Sequence, residues 1–436
     1  MTALPPGPAE APFVQTLRWL LRPISFLESC RRRFGDAFSV SFLGFQTPMV
    51  MLSDPDAIRA LYTEPAHRLP PGRTLALQPI MGSRSLLLLE GREHLARRKL
   101  MLPPFHGARM RAYEDTVREV VAREVERWPE GEPFALHPSM QAVTLEVILR
   151  AVFGVTDPGR RDRLAQRLGR LLADTSSSGL QFGVLLSRRL GGPDPLARLQ
   201  ALRQEIDAML EAEIAERRAD PREDILSTFV TARFEDGESM SDEEIRDQLM
   251  TLLLAGHETT ATGLAWTFDL LLRHPPVLDR LTAAVDAGED AYVRAVVAEA
   301  LRLRPVVPLA GRRLSKELRV NGHVLPPGTD VTPAIWLAHT RADRYPEPYA
   351  FRPERFLDGA PSTYAWVPFG GGVRRCIGAA FAEMEMRVAL TEILRRRTLM
   401  AASAHAERVA RRNVTFSPQR GTRVTAARRA SIARDG

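Results

Sequence analysis

Over most of this chain hydrophobic residues recur every three to four positions, and only short stretches alternate. Residues 13–33 carry the helical period. Residues 37–52 alternate apolar and polar and break at Gly44, which predicts a β-hairpin. From residue 56 to residue 302 the pattern is helical almost throughout, with breaks at Pro70-Pro71-Gly72, Pro103-Pro104, Gly131, Gly154 and the Gly/Pro-rich stretch 191–195. Residues 319–333 return to β, turning at Asn321-Gly322 and at Pro326-Pro327-Gly328. A Pro-rich irregular stretch, 345–368, leads into a glycine loop and one more helix over 379–397. The tail from Arg411 predicts a last hairpin turning around 418–421. The fold class that follows is mainly α with minor β.

Length alone suggests about three domains for 436 residues, but the chain shows no internal repeat and no linker-like break. We therefore expect one domain over 1–436, with a Pro-rich segment at 1–12 and a short basic tail at 428–436. Hydrophobic residues at 44% and charged residues at 26% exclude disorder, collagen and coiled coil. Two cysteines, Cys30 and Cys376, exclude a disulfide framework and a Cys-rich zinc module, and fit a reducing compartment. Asp247, Glu258 and Asp269 interrupt the most apolar helix, so no membrane anchor is expected. The first residues lack a basic region followed by an apolar run, and a cytoplasmic location is the expectation. The net charge of +7 is almost all arginine, which reads as a codon bias. Acidic residues alternate with the arginines along helices, so no nucleic-acid partner is expected, although an acidic protein partner would suit the balance.

The densest chemistry lies in Phe369-Gly-Gly-Gly-Val-Arg-Arg-Cys-Ile-Gly-Ala-Ala. The three glycines allow close backbone approach to a flat group and direct N–H groups at the cysteine. The positive end of the following helix favours a thiolate. These residues alone admit a ligand cysteine, a buried structural cysteine, or a nucleophile paired with one of nine histidines. A phosphate-cradling loop is excluded because no Gly-Lys-[Ser/Thr] follows.

This segment resembles, position by position, the haem-binding signature of the cytochrome P450 family. Phe369 matches its aromatic, Gly370 and Gly372 its glycines, Arg374 its basic position, Cys376 its thiolate and Gly378 its closing glycine. Three further segments carry the same resemblance in family order. Glu299-Ala-Leu-Arg302 is similar to the buried Glu-x-x-Arg pair, and Arg355 in Phe351-Arg-Pro-Glu-Arg-Phe supplies its third member. Glu28/Arg31, Glu124/Arg127 and Glu243/Arg246 share that spacing and read as solvated i,i+3 pairs. Ala255-Gly-His-Glu-Thr-Thr260 sits mid-helix, where an acid and two hydroxyls are poor choices unless chemistry needs them. By itself it also reads as a kinked core helix with a water-satisfied Glu258.

The resemblance implies the family's triangular helical prism, with haem b (iron protoporphyrin IX) between the Thr259 helix and the Cys376 loop. It makes Cys376 the axial ligand of the haem iron, with Ala255, Phe369, Arg374 and Gly378 against the cofactor. Propionate partners are expected at Arg374, Arg312, His94 and Arg98, with Arg313 and Arg97 adjacent and easily confused. Glu258 and Thr259 are the expected catalytic pair, relaying protons for the reduction of O2. No flavin or nicotinamide fingerprint is present. The resemblance therefore implies electrons from a ferredoxin or flavodoxin with its NAD(P)H-dependent reductase, docking on a basic face of Arg97, Arg98, Lys99 and Arg375, and a monomer is expected.

By family analogy the substrate walls are residues 73–84, 179–190 and 306–309. Leu75, Leu77, Ile80, Met81, Leu180, Phe182, Val184, Val306, Val307 and Leu309 are apolar, which points to a terpenoid, steroid or fatty acid, while each could equally pack the core. The stretches Leu86-Leu-Leu-Leu-Glu-Gly and Met101-Leu-Pro-Pro-Phe-His-Gly resemble bacterial members acting on such lipids. The alternatives on the same fold are a peroxygenase or a haem-dependent isomerase. From another class, a non-catalytic haem-binding sensor stays open.

Overall fold

The computed structural model describes residues 4–65, 78–107, 109–176, 195–357, 359, 362–412 and 414–429. Its axis is one 30-residue helix, Asp242–Leu271, about 45 Å long. Ser241 starts it with a full capping box: its hydroxyl accepts from the Glu244 N–H at 3.1 Å, and Glu244 accepts from the Ser241 N–H at 3.0 Å. Asp242, Glu243 and Glu244 place negative charge on its positive end. Around it pack the helices Arg109–Glu126, Leu136–Val147, Asp290–Leu303 and Ala379–Arg396, whose apolar faces form one continuous core.

The β portion is small and lies to one side. Strands Ala37–Val40 and Met49–Leu52 pair antiparallel as expected. Met49–Leu52 then runs parallel to Asp330–Pro333, which pairs with Arg312–Arg313. Leu318–Val320 and His323–Leu325 form the hairpin expected at Asn321-Gly322; both turn residues have positive φ, +47° and +76°, the signature of a type I′ turn.

One expectation is sharpened and one corrected. The helical period of residues 13–33 is carried by two helices, Pro12–Leu21 and Pro23–Phe34, because Pro23 cannot continue the first helix and starts the second. The last hairpin does not turn at 418–421: Val409–Arg412 pairs with Thr415–Pro418, so the turn falls before Thr415. Beyond that turn Arg423–Arg428 finds partners in Arg397–Ala401 and Phe134–Ala135, a long-range pairing that local pattern does not reveal.

The loop 82–86 is stapled to the long helix by polar groups that no motif announced. The Arg84 N–H donates to Asp247 Oδ2 at 3.0 Å, and the Leu86 N–H donates to Gln248 Oε1 at 2.9 Å. Ser85 and Thr251 share a hydrogen bond of 2.7 Å. Asp247 is fully buried and reaches this loop only because Gly82 has no side chain: a Cβ there would lie 2.1 Å from its carboxyl carbon and oxygens.

Gly82→Ala is therefore expected to destabilise by about 2 kcal/mol or more, through both overlap and its φ of +84°. Gly322→Ala, at φ +76° with nothing within 4 Å, should cost only about 1 kcal/mol. Denaturant unfolding of the two variants side by side reads the difference, and equal losses would contradict the overlap argument.

Candidate functional site

Helix Ala379–Arg396 begins after Gly378, directly behind the cysteine loop. The loop is held by a hydrogen bond of 2.9 Å from the Cys376 N–H to the Phe369 carbonyl. Phe369 in turn stands edge-on to Trp366, with ring centroids 6.2 Å apart. The Cys376 thiol is exposed, while Cys30 is buried. That exposure is to a recess within the protein, since the surrounding protein pushes the thiol pKa up by desolvation. The Gly378 backbone N–H and the charges of Arg98 and Arg375 pull in the other direction and favour the thiolate.

Two of the glycines have a role within the chain itself. They make room for Tyr62, at the end of helix Pro55–Tyr62. A Cβ at Gly371 would sit 2.4 Å from the Tyr62 ring, and one at Gly372 would sit 2.1 Å from the Tyr62 carbonyl oxygen. Gly370 and Gly372 also take positive φ, +67° and +63°. One flat group against this loop is thus the chain's own Tyr62, which no sequence motif singled out.

Beside the loop the structure gathers four of the expected polar side chains. His94, buried on helix Gly91–Met101, has its pKa lowered to about 4, first by burial and then by the charges of Arg374, Arg98 and Arg312. Arg374 is lowered to about 10 by burial and by Arg312. Burial likewise lowers Arg312 and Arg98, and the Cys376 charge favours protonated Arg98. Arg374 donates to the Leu89 carbonyl at 2.5 Å and Arg312 to the Gly311 carbonyl at 2.8 Å. Among the described residues none of these three arginines has a carboxylate within 4.0 Å, and His94 Nδ1 and Arg374 Nε are buried without a partner. Such a cluster of half-buried, partly desolvated cations with spare donors is costly unless an anion completes it. Its donor set fits a planar group carrying two carboxylates beside an open thiol.

The structure resolves both ambiguous arginine pairs. Arg313 is spent on Asp330, at 3.1 and 3.2 Å, which leaves Arg312 to the cluster. Arg97 is spent on Glu244 at 2.7 Å and lies over the Phe234 ring, which leaves Arg98. This narrows the expected basic face. Arg97 is neutralised and largely covered and Arg98 is half-buried, whereas Lys99, in an exposed pair with Glu235 at 2.7 Å, and Arg375 both stay exposed.

On the long helix, Ala255 is exposed although Leu253 and His257 around it are buried. Thr259 donates back to the Ala255 carbonyl at 2.5 Å, as its mid-helix position suggested, and the helix stays continuous. Glu258 points elsewhere, toward helix Leu136–Val147. Gln141 Nε2 donates to its Oε2 at 2.6 Å, the Thr262 hydroxyl lies 3.4 Å from its Oε1, and His137 Nε2 lies 3.6 Å from the same oxygen. Burial raises the Glu258 pKa, while Gln141, Arg412 and Thr262 oppose the shift. The structure therefore does not bring the acid and the alcohol into contact.

Glu299, Arg302 and Arg355 do meet. Arg302 and Glu299, both fully buried, form a two-point ion pair of 2.6 and 2.8 Å. Arg355 Nε reaches Glu299 at 3.3 Å. A fourth member, His339, was missed: its Nδ1 bonds the Arg302 carbonyl at 3.1 Å and its Nε2 accepts from the Val367 N–H at 2.8 Å. Burial and the Arg302 charge lower its pKa to about 3, so it stays neutral.

Of the tentative wall residues, Leu75, Leu77, Leu180, Phe182 and Val184 lie outside the described residues. Val306 is part of the main core and Leu309 packs on the cluster around Trp336 and Phe416, so both serve packing. Ile80 and Met81 also pack on or in buried structure, whereas Val307 is half-buried and belongs to no core cluster.

A thiol in a glycine loop before a helix, an uncompensated arginine cluster beside it and a long helix exposed at one alanine define a haem-thiolate type of protein. Comparison with known proteins agrees. The cytochrome P450 family profile matches residues 5–406. Cytochrome P450 135B1 of Mycobacterium tuberculosis is 42% identical, with 97% of this chain and 91% of that protein aligned. Cytochrome P450 138 of the same organism is 38% identical, covering 98% of this chain and 97% of the relative. Among solved structures, a retinoic acid-bound cyanobacterial CYP120A1 superposes with a TM-score of 0.85 at 25% identity, covering 98% of this chain and 100% of the other. The haem domain of cytochrome P450DA superposes at 0.84 and 24%, covering 99% and 98%. The chain belongs to the cytochrome P450 family and is a P450 monooxygenase with that family's haem-binding fold.

Two outcomes are expected for the buried ion pair. Glu299→Gln and Arg302→Met should each cost about 3–5 kcal/mol in denaturant unfolding, because each leaves a buried charge without its counterpart. The proton balance of His339 adds a pH dependence. Its folded pKa of about 3 lies below the ordinary 6.5, so between those values the unfolded chain binds a proton that the folded chain refuses. Stability is full above about pH 6.5 and falls as pH drops toward 3. The melting temperature of the His339→Asn variant should fall less steeply over that window than the parent's, and parallel slopes would contradict the assignment.

Proposed function

We propose that this P450 hydroxylates an apolar small molecule with O2, using electrons from a separate ferredoxin or flavodoxin. The observation that carries the reading is the half-buried arginine cluster of Arg98, Arg312 and Arg374, unneutralised by any described carboxylate and adjoining the Cys376 thiol. Cys376 would be the axial ligand, with the Gly378 N–H and the helix end behind it holding the sulfur as thiolate. Arg98, Arg312, Arg374 and His94 would hold the propionates, and Ala255, Phe369 and Gly378 would border the ring.

When bound, haem supplies the oxidative chemistry. The chain's own task is to bind, orient and deliver protons. Thr259 would hold a proton at its hydroxyl by exchanging the Ala255 carbonyl for water on the open side of the helix. Glu258 would replenish it, which requires its carboxyl to turn away from Gln141. Burial raises the pKa of this half-buried acid, which favours its protonated form more than in an exposed carboxyl.

An apolar substrate is supported by the aliphatic wall segments, with half-buried Val307 a lining candidate, and by the retinoic acid in the cyanobacterial neighbour. Arg375 and Lys99, both exposed, are the cations of the expected face that an acidic electron donor would meet.

The carbon monoxide difference spectrum of the dithionite-reduced protein should show the red-shifted band of thiolate-ligated haem, absent from Cys376→Ser. A band typical of histidine ligation in the parent would overturn the assignment of Cys376. Haem retention separates the paired arginines: Arg312→Ala should release haem more readily on gel filtration, and Arg313→Ala should not. In turnover, Thr259→Ala should lose product about 100-fold while consumption of reduced nicotinamide continues. Unchanged coupling would remove Thr259 from proton delivery.

A further inference from the structure

The first helix, Pro12–Leu21, is amphipathic the wrong way round for a helix packed on a soluble core. The residue types it buries are Gln15 and Trp19. The Gln15 amide is satisfied inside, donating to the Pro8 and Glu10 carbonyls at 3.2 and 2.7 Å and accepting from the Ser41 N–H at 2.9 Å. Its outward face carries Phe13, Leu17, Leu20 and Leu21, at spacings of four, seven and eight residues, with exposures of 60, 43, 46 and 68%. The neighbouring hairpin turn adds Leu43, 61% exposed, and its backbone N–H is tied to this helix by a 2.8 Å bond to the Thr16 hydroxyl. A cluster of large apolar side chains fixed outward on a rigid element marks an interaction surface.

Charge selects what covers it. Arg22 is exposed immediately after Leu21, and Arg32 and Arg33 are exposed in the last turn of Pro23–Phe34. That second helix lies against the first, since Arg18 donates to Ser29 at 2.9 Å and stacks over Phe26. Two carboxylates of the region are neutralised, Glu10 by Arg18 at 2.8 Å and Asp36 by Arg31 and Arg341 at 3.0 and 2.7 Å, and a third, Glu28, accepts from the Tyr349 hydroxyl at 3.0 Å. A second copy of the chain seated on this face would oppose arginines to arginines. An anionic lipid headgroup layer answers both demands, taking the leucines and Phe13 into its acyl boundary and the arginines at its phosphates.

We propose that this face lies on the surface of anionic membranes, as a peripheral contact. No helix among the described residues is long and apolar enough to cross a bilayer, so the contact is interfacial. The inference does not depend on the chemistry assigned to the cysteine loop. The haem-loaded protein should co-sediment with vesicles of phosphatidylcholine mixed with phosphatidylglycerol, and much less with phosphatidylcholine alone or at high salt. Leu17→Glu/Leu21→Glu should lower partitioning about tenfold or more while leaving the melting temperature unchanged, because both positions are exposed. Arg32→Glu/Arg33→Glu should remove the preference for phosphatidylglycerol. A parent protein that stays in the supernatant with anionic vesicles overturns the proposal. So does vesicle binding that survives Leu17→Glu/Leu21→Glu, or a concentration-dependent dimer in sedimentation velocity that this double variant abolishes without any vesicle binding.

Discussion

Arg302 has a fully buried guanidinium, and a buried cation is tolerable only when its donors are all used. Here they are. Nε and Nη2 bind Glu299, Nη2 also donates to the Ala350 carbonyl, and Nη1 donates to the His339 and Pro348 carbonyls. Three of those five acceptors are main-chain carbonyls, one at the end of the short helix Ile335–His339 and two in the irregular segment after it, so the charge holds that segment to helix Asp290–Leu303. His339 extends the hold to Val367, two residues before Phe369, and Tyr345 closes it from another side, its ring under the guanidinium at 4.8 Å and its hydroxyl on the Ala365 carbonyl at 3.1 Å. A stretch without regular secondary structure thereby acquires a fixed path up to the cysteine loop.

The second arginine group follows the opposite rule. Arg98, Arg312 and Arg374 sit close enough to depress one another and His94, and their neighbours Arg97 and Arg313 take the carboxylates instead. Two adjacent arginines with opposite fates, twice in one chain, show that basic charge near the thiol is kept unneutralised by partner choice. Folding without an anion there costs desolvation. Binding a dianionic cofactor recovers it, which couples cofactor loading to stability.

Much of this was legible in the sequence because local chemistry carried it. The cysteine loop, the Glu-x-x-Arg spacing and the mid-helix Glu258-Thr259 are rule-breaking residues with few alternative explanations, and the Asn321-Gly322 turn follows from backbone sterics alone. What stayed hidden depends on long-range placement. Tyr62 is 309 residues from Gly371, Asp247 is 163 from Arg84, and Gln141 is 117 from Glu258. None of these residues is unusual in its own neighbourhood. The choice between Arg97 and Arg98 is of the same kind, since only the position of Glu244 decides it.

Glu258 shows how a motif residue can be placed correctly in sequence and still be misjudged in its surroundings. Beside Thr259 in the chain, it reads as part of an acid–alcohol couple. On a helix, consecutive residues diverge by about 100°. The two side chains therefore leave the axis in different directions, Thr259 to its own helix backbone and Glu258 into a polar seam with Gln141, Thr262 and His137. That seam sets the acid between opposed influences. Burial favours the neutral carboxyl, and the amide and hydroxyl donors favour the anion. A group balanced in this way needs only a small change in hydration or hydrogen bonding to gain or lose a proton, and the helix register keeps it one residue from the hydroxyl it would serve.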